Sequence, residues 1–188
     1  MSDLERAVRA VIEDCVAVKE GEDVVVVCNP ATQGLAERLR LGAEAVGAEA
    51  VLAVMSEREQ HGVEPPQSVA AAMLEADVLL VPTVQSLSHT AARRAATDAG
   101  VRTATLPGVT EEMLARVMSA DMEELRRRGR VLADLLTAGG EAHVTSADGS
   151  DLTLNIEGRA GIPDAGELGE PGAFGNLPCG EGFISPHH

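Results

Sequence analysis

Aromatic side chains are nearly missing from this sequence, with two Phe and neither Trp nor Tyr among 188 residues. That removes the stacking platforms on which nucleic-acid bases sit and the aromatic belts of membrane proteins. The core has to be built from Val, Leu, Ala, Ile and Met. Positive charge is also scarce: 15 Lys and Arg stand against 30 Asp and Glu, a formal net charge of −15. A nucleic-acid binder needs a basic surface to displace counterions from phosphates, so nucleic acid is excluded as a partner. No apolar run approaches the roughly 20 residues that span a bilayer, and Met1-Ser2-Asp3-Leu4-Glu5 lacks the basic and apolar regions of a signal peptide. The expectation is no membrane partner and a cytoplasmic location. The three cysteines, Cys15, Cys28 and Cys179, lie singly, which excludes a disulfide framework or a zinc knuckle. Cys15 and Cys28 read as buried thiols. Neither G-x-G-x-x-G after a strand nor G-x-x-x-x-G-K-[ST] occurs, so the backbone nests that hold pyrophosphate are not encoded.

What is present is ordinary globular composition, 45% hydrophobic and 24% charged, in a chain of one full domain or one domain and part of another. Ser2-Asp3-Leu4-Glu5 reads as a capping box, and Leu4, Val8, Val11, Ile12 and Cys15 recur on one helical face. Val24-Val25-Val26-Val27-Cys28 is a continuous β-branched run, the mark of a strand covered on both faces and hence of a parallel sheet. Alternation continues with a helix over 33–46, a strand at 50–54, a helix near 68–75, a strand at 78–81, a helix near 88–99 and a strand at 101–106. Connections too long for hairpins imply right-handed crossovers, so the fold class predicted is α/β, a doubly wound, mostly parallel sheet flanked by helices. From Thr110 to Thr137 the pattern is one helix, with Met122, Leu125, Leu132, Leu135 and Leu136 on its buried side.

Gly139-Gly140 opens a different regime. Ala142–Thr145 and Leu152–Ile156 flank Asp148-Gly149 as the arms of a hairpin. From Gly158 on, the chain reads as Gly/Pro-punctuated loop with a short extended piece at 182–185. The domains expected are residues 1–138, the α/β domain, and 139–188, the start of a β-rich one. So few aliphatic side chains cannot offset the ordering entropy of the second part by themselves.

Candidate chemistry is sparse. Asn29 and Thr32 follow the first strand, where open α/β sheets place ligands, but both also suit a plain helix cap. Ser88 and His89 are adjacent, so their side chains diverge, and no nucleophile elbow surrounds them; Ser88 reads as a helix cap and His89 as a first-turn residue. His61 and His143 lack a second metal ligand at suitable spacing. Glu181 is framed by glycines, which let backbone approach a metal closely, although an isolated Glu in a glycine-rich loop is ordinarily just solvated.

The segment Gly175-Asn176-Leu177-Pro178-Cys179-Gly180-Glu181-Gly182-Phe183-Ile184-Ser185-Pro186 resembles the N-L-P-x-G-E-x-F-x-x-P motif of the M29 metallo-aminopeptidases, the aminopeptidase T or leucyl aminopeptidase group. Ser86–Thr90, Leu106–Met113 and Glu157–Arg159 resemble further elements of that family in the same order, so the likeness covers essentially the whole chain. The resemblance implies a metal-dependent aminopeptidase that releases N-terminal amino acids from peptides, a homodimer, and a two-metal centre of Zn, Co or Mg with Glu181 as one ligand. Family members continue past this motif and draw further Glu, His and Asp ligands from there, so the 188-residue chain is expected to be a truncated part, inactive alone. One carboxylate cannot hold two divalent ions. His187 and His188 offer nitrogen ligands, or are the remains of a purification tag, the reading favoured for His188. Two alternatives stay open: a ring-cleaving dioxygenase of related fold, in which carboxylates and histidines hold Fe(II), and a non-catalytic binding or dimerisation module with an acidic surface.

Overall fold

The computed structural model describes residues 1–187; the tag reading of His188 lies outside them. Two compact units divide the chain. One takes Met1–Ala120 and Gly166–Pro178, the other Asp121–Ala165 and the residues from Cys179 on.

The first unit is a five-stranded, wholly parallel sheet with helices on both faces. Its strands are β1 (Asp23–Cys28), β2 (Glu49–Val54), β3 (Val78–Val81), β4 (Arg102–Thr105) and β8 (Phe174–Asn176), in the order β2-β1-β3-β4-β8. The mostly parallel, helix-flanked α/β sheet expected from the valine run and the alternation is what the chain forms. Strand alternation divides the core into two layers. Val25, Val27, Leu79 and Val81 pack with Val69 and Met73 of α3 (Gln67–Leu74) and Ala96 of α4 (Ala91–Asp98). Val24, Val26, Val78 and Leu80 face the other way and are fully buried. That side is covered by α2 (Gln33–Ala45), with α1 (Asp3–Arg9) packed on α2 and on α5 (Glu111–Met118).

The capping box at Ser2 forms as read, with Glu5 N–H donating to Ser2 Oγ at 3.2 Å and Ser2 N–H to Glu5 Oε2 at 2.6 Å. Helix α1 then runs into a wider π-type turn over Ala10–Cys15, where Val16 N–H reaches back to the Val11 carbonyl at 3.0 Å. Strand β8 lies where the sequence predicts only loop. Phe-Gly-Asn is too short to alternate, and its extended form is set by pairing with Thr103, Ala104 and Thr105 of β4.

The second unit contains α6 (Met122–Ala138), the hairpin β5 (Glu141–Thr145) and β6 (Asp151–Asn155), and the antiparallel pair β7 (Ile162–Asp164) and β9 (Glu181–Phe183). The expected single helix over 110–137 is two, because Asp121 caps a new start by accepting from Glu124 N–H at 3.1 Å. The buried side of α6 matches expectation at Met122 and differs further along: Leu132 and Leu135 are 45% and 66% exposed, while Gly129 and Ala133 face inward. Small residues there let strand backbone come against helix backbone. A Cβ on Gly161 would stand 2.2 Å from the Ala133 carbonyl oxygen, and one on Gly182 would stand 2.9 Å from that of Gly129.

On the exposed N-terminal turn of α6, Glu124 accepts from Arg127 Nε at 2.6 Å and Arg128 Nε at 2.7 Å. These charge-assisted bonds, Arg127's first, pull its carboxyl from an ordinary 4.5 down to about 2. Because the folded value is depressed, the contribution of this cluster is present above the unfolded value and lost only as pH falls toward 2. A carboxyl-carbon NMR titration is expected to place the Glu124 midpoint near 2; an ordinary midpoint would contradict the geometry.

Candidate functional site

Open parallel sheets present ligands at the carboxyl ends of their strands, beside the point where strand order reverses. Here that point lies between β1 and β3. It is spanned by a polar clip. Buried Asn29 donates from Nδ2 to the Met55 carbonyl at 3.1 Å and accepts from Val84 N–H at 2.9 Å, while Thr32 Oγ1 donates to the Pro82 carbonyl. Asn29 and Thr32 also cap one another across the short turn Pro30–Thr32. Both therefore serve the frame, as the capping reading expected. At the end of β1, burial pushes the Cys28 thiol up, so it stays protonated and apolar in character.

A second polar group lies over β3, β4 and β8. Ser86 Oγ donates to Ser88 Oγ at 2.8 Å, Ser88 and Thr105 hydroxyls are 2.9 Å apart, and the Asn176 amide oxygen accepts from both Ser88 and Thr105. Ser88 is thus not the cap of α4. That place belongs to Thr90, whose hydroxyl accepts from Arg93 N–H at 3.2 Å, and Glu64 adds its carboxylate to the exposed Ala91 and Ala92 amides. The reason is register: Thr105 of β4 and Asn176 of β8 are Cα partners, so their side chains share a face, and the loop carries Ser88 onto it. Nothing in Phe-Gly-Asn marks Asn176 as a partner of residues so distant in the chain.

Arg93 steadies this group. Its Nε donates to the Ser88 carbonyl at 2.7 Å, and its guanidinium lies 3.9 Å from the centre of the Phe174 ring. Burial, and then neighbouring Arg94, push its pKa down, against the pull of Asp98. His61 is engaged as an acceptor, taking Ser86 N–H on Nδ1 at 2.9 Å, and His89 is exposed. The partners of Ser88 Oγ are hydroxyls and an amide, so the rim holds loops and strand ends in place without presenting an activated nucleophile.

Glu181 occupies the first position of β9, exposed, with Asp164 of β7 as its Cα partner. Directly paired residues project from the same face of a sheet. Since Gly182 turns toward α6, the other face of the pair carries Asp164 and Glu181 at one end and Ile162 and Phe183 at the other. His143 meets Asp151 across the hairpin at 2.6 Å, and His187 Nε2 lies 2.8 Å from the Glu157 carbonyl oxygen. Among the described residues, no three His, Cys, Asp or Glu side chains converge into a group able to hold a metal ion. An Fe(II) centre of two histidines and a carboxylate needs three, and a two-metal centre more. These residues therefore do not complete either centre. No helix among them is long and apolar enough to cross a membrane.

Comparison with solved structures finds the 2,5-dihydroxypyridine dioxygenase of Pseudomonas putida KT2440, at TM-score 0.75 and 18% identity, covering 100% of this chain and 57% of that one. It also finds wild-type AmpT from Thermus thermophilus, an M29 aminopeptidase, at TM-score 0.59 and 18% identity, covering 98% of this chain and 62% of that one. At such identity the likeness is one of fold, and the chain spans less than two thirds of either protein. Comparison with curated proteins finds no match. The M29 resemblance thus extends to a related fold, whereas the family model that matches residues 3–188 is that of NicX, 2,5-dihydroxypyridine 5,6-dioxygenase. The chain belongs to the 2,5-dihydroxypyridine 5,6-dioxygenase family.

Proposed function

We propose that this chain is part of an oxygen-using, ring-cleaving enzyme acting on a hydroxylated nitrogen heterocycle. The observation that carries the reading is the family match over 3–188, nearly the whole sequence. The expectation of an aminopeptidase gives way to its dioxygenase alternative on that ground, and the higher TM-score of the dioxygenase neighbour agrees. The reaction would require Fe(II), which supplies oxygen activation when bound. The described residues do not form a complete ligand set, so no catalytic step is assigned to them. Their role in this reading is to present Glu181 and Asp164 on one face of a strand pair whose backbone is fixed against α6.

The test is oxygen consumption by the full-length gene product, loaded with Fe(II), on addition of 2,5-dihydroxypyridine. Uptake coupled to loss of ring absorbance is expected. If Glu181 contributes to the metal site, Glu181→Ala lowers bound iron as well as turnover; unchanged iron stoichiometry would remove Glu181 from that site while leaving the ring-cleavage reading intact.

One observation favours a second reading. The Asn176–Phe183 stretch matches the M29 motif at each of its fixed positions there, and AmpT shares the fold. On that reading the same protein releases nitroaniline from Leu-p-nitroanilide with Zn or Co and consumes no oxygen.

A further inference from the structure

The loop from β2 to α3 crosses the carboxyl edge of the central sheet. At its root, Met55 N–H donates to the Cys28 carbonyl at 2.9 Å, and Asn29 Nδ2 donates to the carbonyl of Met55 at 3.1 Å. At its tip, Gly62 N–H donates to the Ser86 carbonyl and Ser86 N–H to His61 Nδ1, both at 2.9 Å. Ser86 follows β3, and β1 lies between β2 and β3. Residues 56–64 therefore form a strap over the carboxyl end of β1, beside the point where strand order reverses.

Polar contacts hold the strap, and they are few. None of residues 56–64 is buried; Arg58 and Val63 are half-buried and the rest are exposed. Arg58 is poorly served by closure: its Nε is buried without a hydrogen-bond partner, and its Nη2 lies 3.9 Å from Met55 Sδ. An unpaired buried donor costs free energy that water restores when the strap lifts. Closure is thus opposed near the root and depends at the tip on the two bonds with Ser86. One of them uses an imidazole as acceptor. That requires the neutral ring with its proton on Nε2, because an imidazolium has two donors and no acceptor.

We propose that residues 56–64 are a pH-released strap, clasped shut by neutral His61 on the Ser86 amide and freed when His61 gains a proton. Imidazole is the side chain that changes charge between about pH 5 and 8. Protonation sets Nδ1–H against Ser86 N–H, donor against donor, so the strap is closed above this range and opens as pH falls through it. The segment that His61 meets, Thr83–Ser88, carries no charged side chain. The charged or titratable groups near the clasp along the chain are Glu57, Arg58, Glu59 and Glu64 on the strap, and His89 and Arg94 at the start of α4. Glu64 is held on the Ala91 and Ala92 amides, so it does not replace the lost acceptor, and Arg94 is held on the His89 carbonyl. Because Ser86 Oγ donates to Ser88 Oγ, release reaches the polar rim of Ser88, Thr105 and Asn176 as well as the end of β1.

Amide hydrogen exchange on the full chain tests this at Ser86 and Gly62, the two donors of the clasp. Protection, taken against the intrinsic rate at the same pH, is expected to fall roughly ten-fold at both between about pH 8 and about pH 5, the net worth of one hydrogen bond. Val26 and Leu80, paired in the centre of the sheet, are expected to keep theirs. His61→Asn retains an acceptor and does not titrate, so Ser86 is expected to stay protected at both ends of the range. His61→Ala is expected to leave both amides weakly protected throughout. Arg58→Met, which removes the unpaired Nε, is expected to raise Ser86 protection at the upper end, and no rise would contradict the part given to Arg58. Protection at Ser86 that ignores pH in the unmodified chain overturns the proposal, and so does an equal fall in His61→Asn. A parallel loss at Val26 and Leu80 also overturns it, since acid then opens the sheet and not the strap. Should His61→Ala fail to fold, the comparison with His61→Asn decides.

Discussion

Arg102→Met is expected to cost the first unit about 3 kcal/mol. The Arg102 side chain is 5% exposed, and it forms an ion pair with Glu22, itself 19% exposed. A second donor, Nη1, reaches the Ala17 carbonyl at 2.8 Å. That matters because Ala17 has φ +48°, a left-handed conformation that a residue with a Cβ rarely adopts unless its surroundings hold it. Removing the guanidinium strands a largely dehydrated carboxylate and releases the strained turn together. Glu22 also accepts Lys19 N–H at 2.8 Å, so its loss would loosen the same corner. Urea denaturation measures the effect. The double variant Glu22→Gln/Arg102→Met is expected to recover part of the loss, since no charge is then left unpaired. Equal costs for the single and double variants would show that the ion pair is not the source.

Gly161→Ala is expected to destabilise the second unit by about 3 kcal/mol, the upper end for forcing one extra carbon into a packed contact. The added Cβ would stand 2.2 Å from the Ala133 carbonyl oxygen and 2.9 Å from its carbonyl carbon. These are helix backbone atoms, so no rotamer change relieves the clash. Helix α6 or the strand pair has to shift. Gly140→Ala, where a Cβ meets nothing within 4 Å, is the control and should be close to neutral. Hydrogen exchange at Gly161, whose N–H donates to Thr137 Oγ1 at 2.8 Å, should accelerate in the first variant and not in the second. A neutral Gly161→Ala would mean that α6 and this loop do not approach as closely as described.

How far the sequence was legible differs between the two units. In the first, each strand of four or more residues left its own mark, most plainly β1 and β3, where burial on both faces demands an unbroken apolar run such as Val24–Val27. Arg102-Thr103-Ala104-Thr105 is the least apolar of these and was still found, between the glycine that ends α4 and Leu106. Strand β8 was not found, since its conformation is written in β4 more than in itself. The polar rim was also out of sight: Ser88, Thr105 and Asn176 come from three separate stretches, and only strand order brings them together. In the second unit Met122 is buried as expected, but Leu132 and Leu135 misled, because helical periodicity finds the apolar stripe whereas much of the buried face is the one with the smallest side chains to obstruct it, Gly129 and Ala133. The hairpin over Asp148-Gly149 was legible from its turn chemistry. Glu181 was singled out through a motif; that Asp164 stands across from it required the pairing of β7 with β9.

The family reading makes a demand on the product that a peptidase cannot imitate. A 5,6-dioxygenase opens the ring between those carbons and places both atoms of one O₂ in the product. The most direct measurement is therefore turnover of 2,5-dihydroxypyridine by the Fe(II)-loaded, full-length gene product under ¹⁸O₂, followed by mass spectrometry. The account predicts a ring-opened product carrying two heavy oxygens. Recovery of unlabelled substrate, alongside metal-dependent release of nitroaniline from Leu-p-nitroanilide, would contradict it and return the protein to hydrolysis.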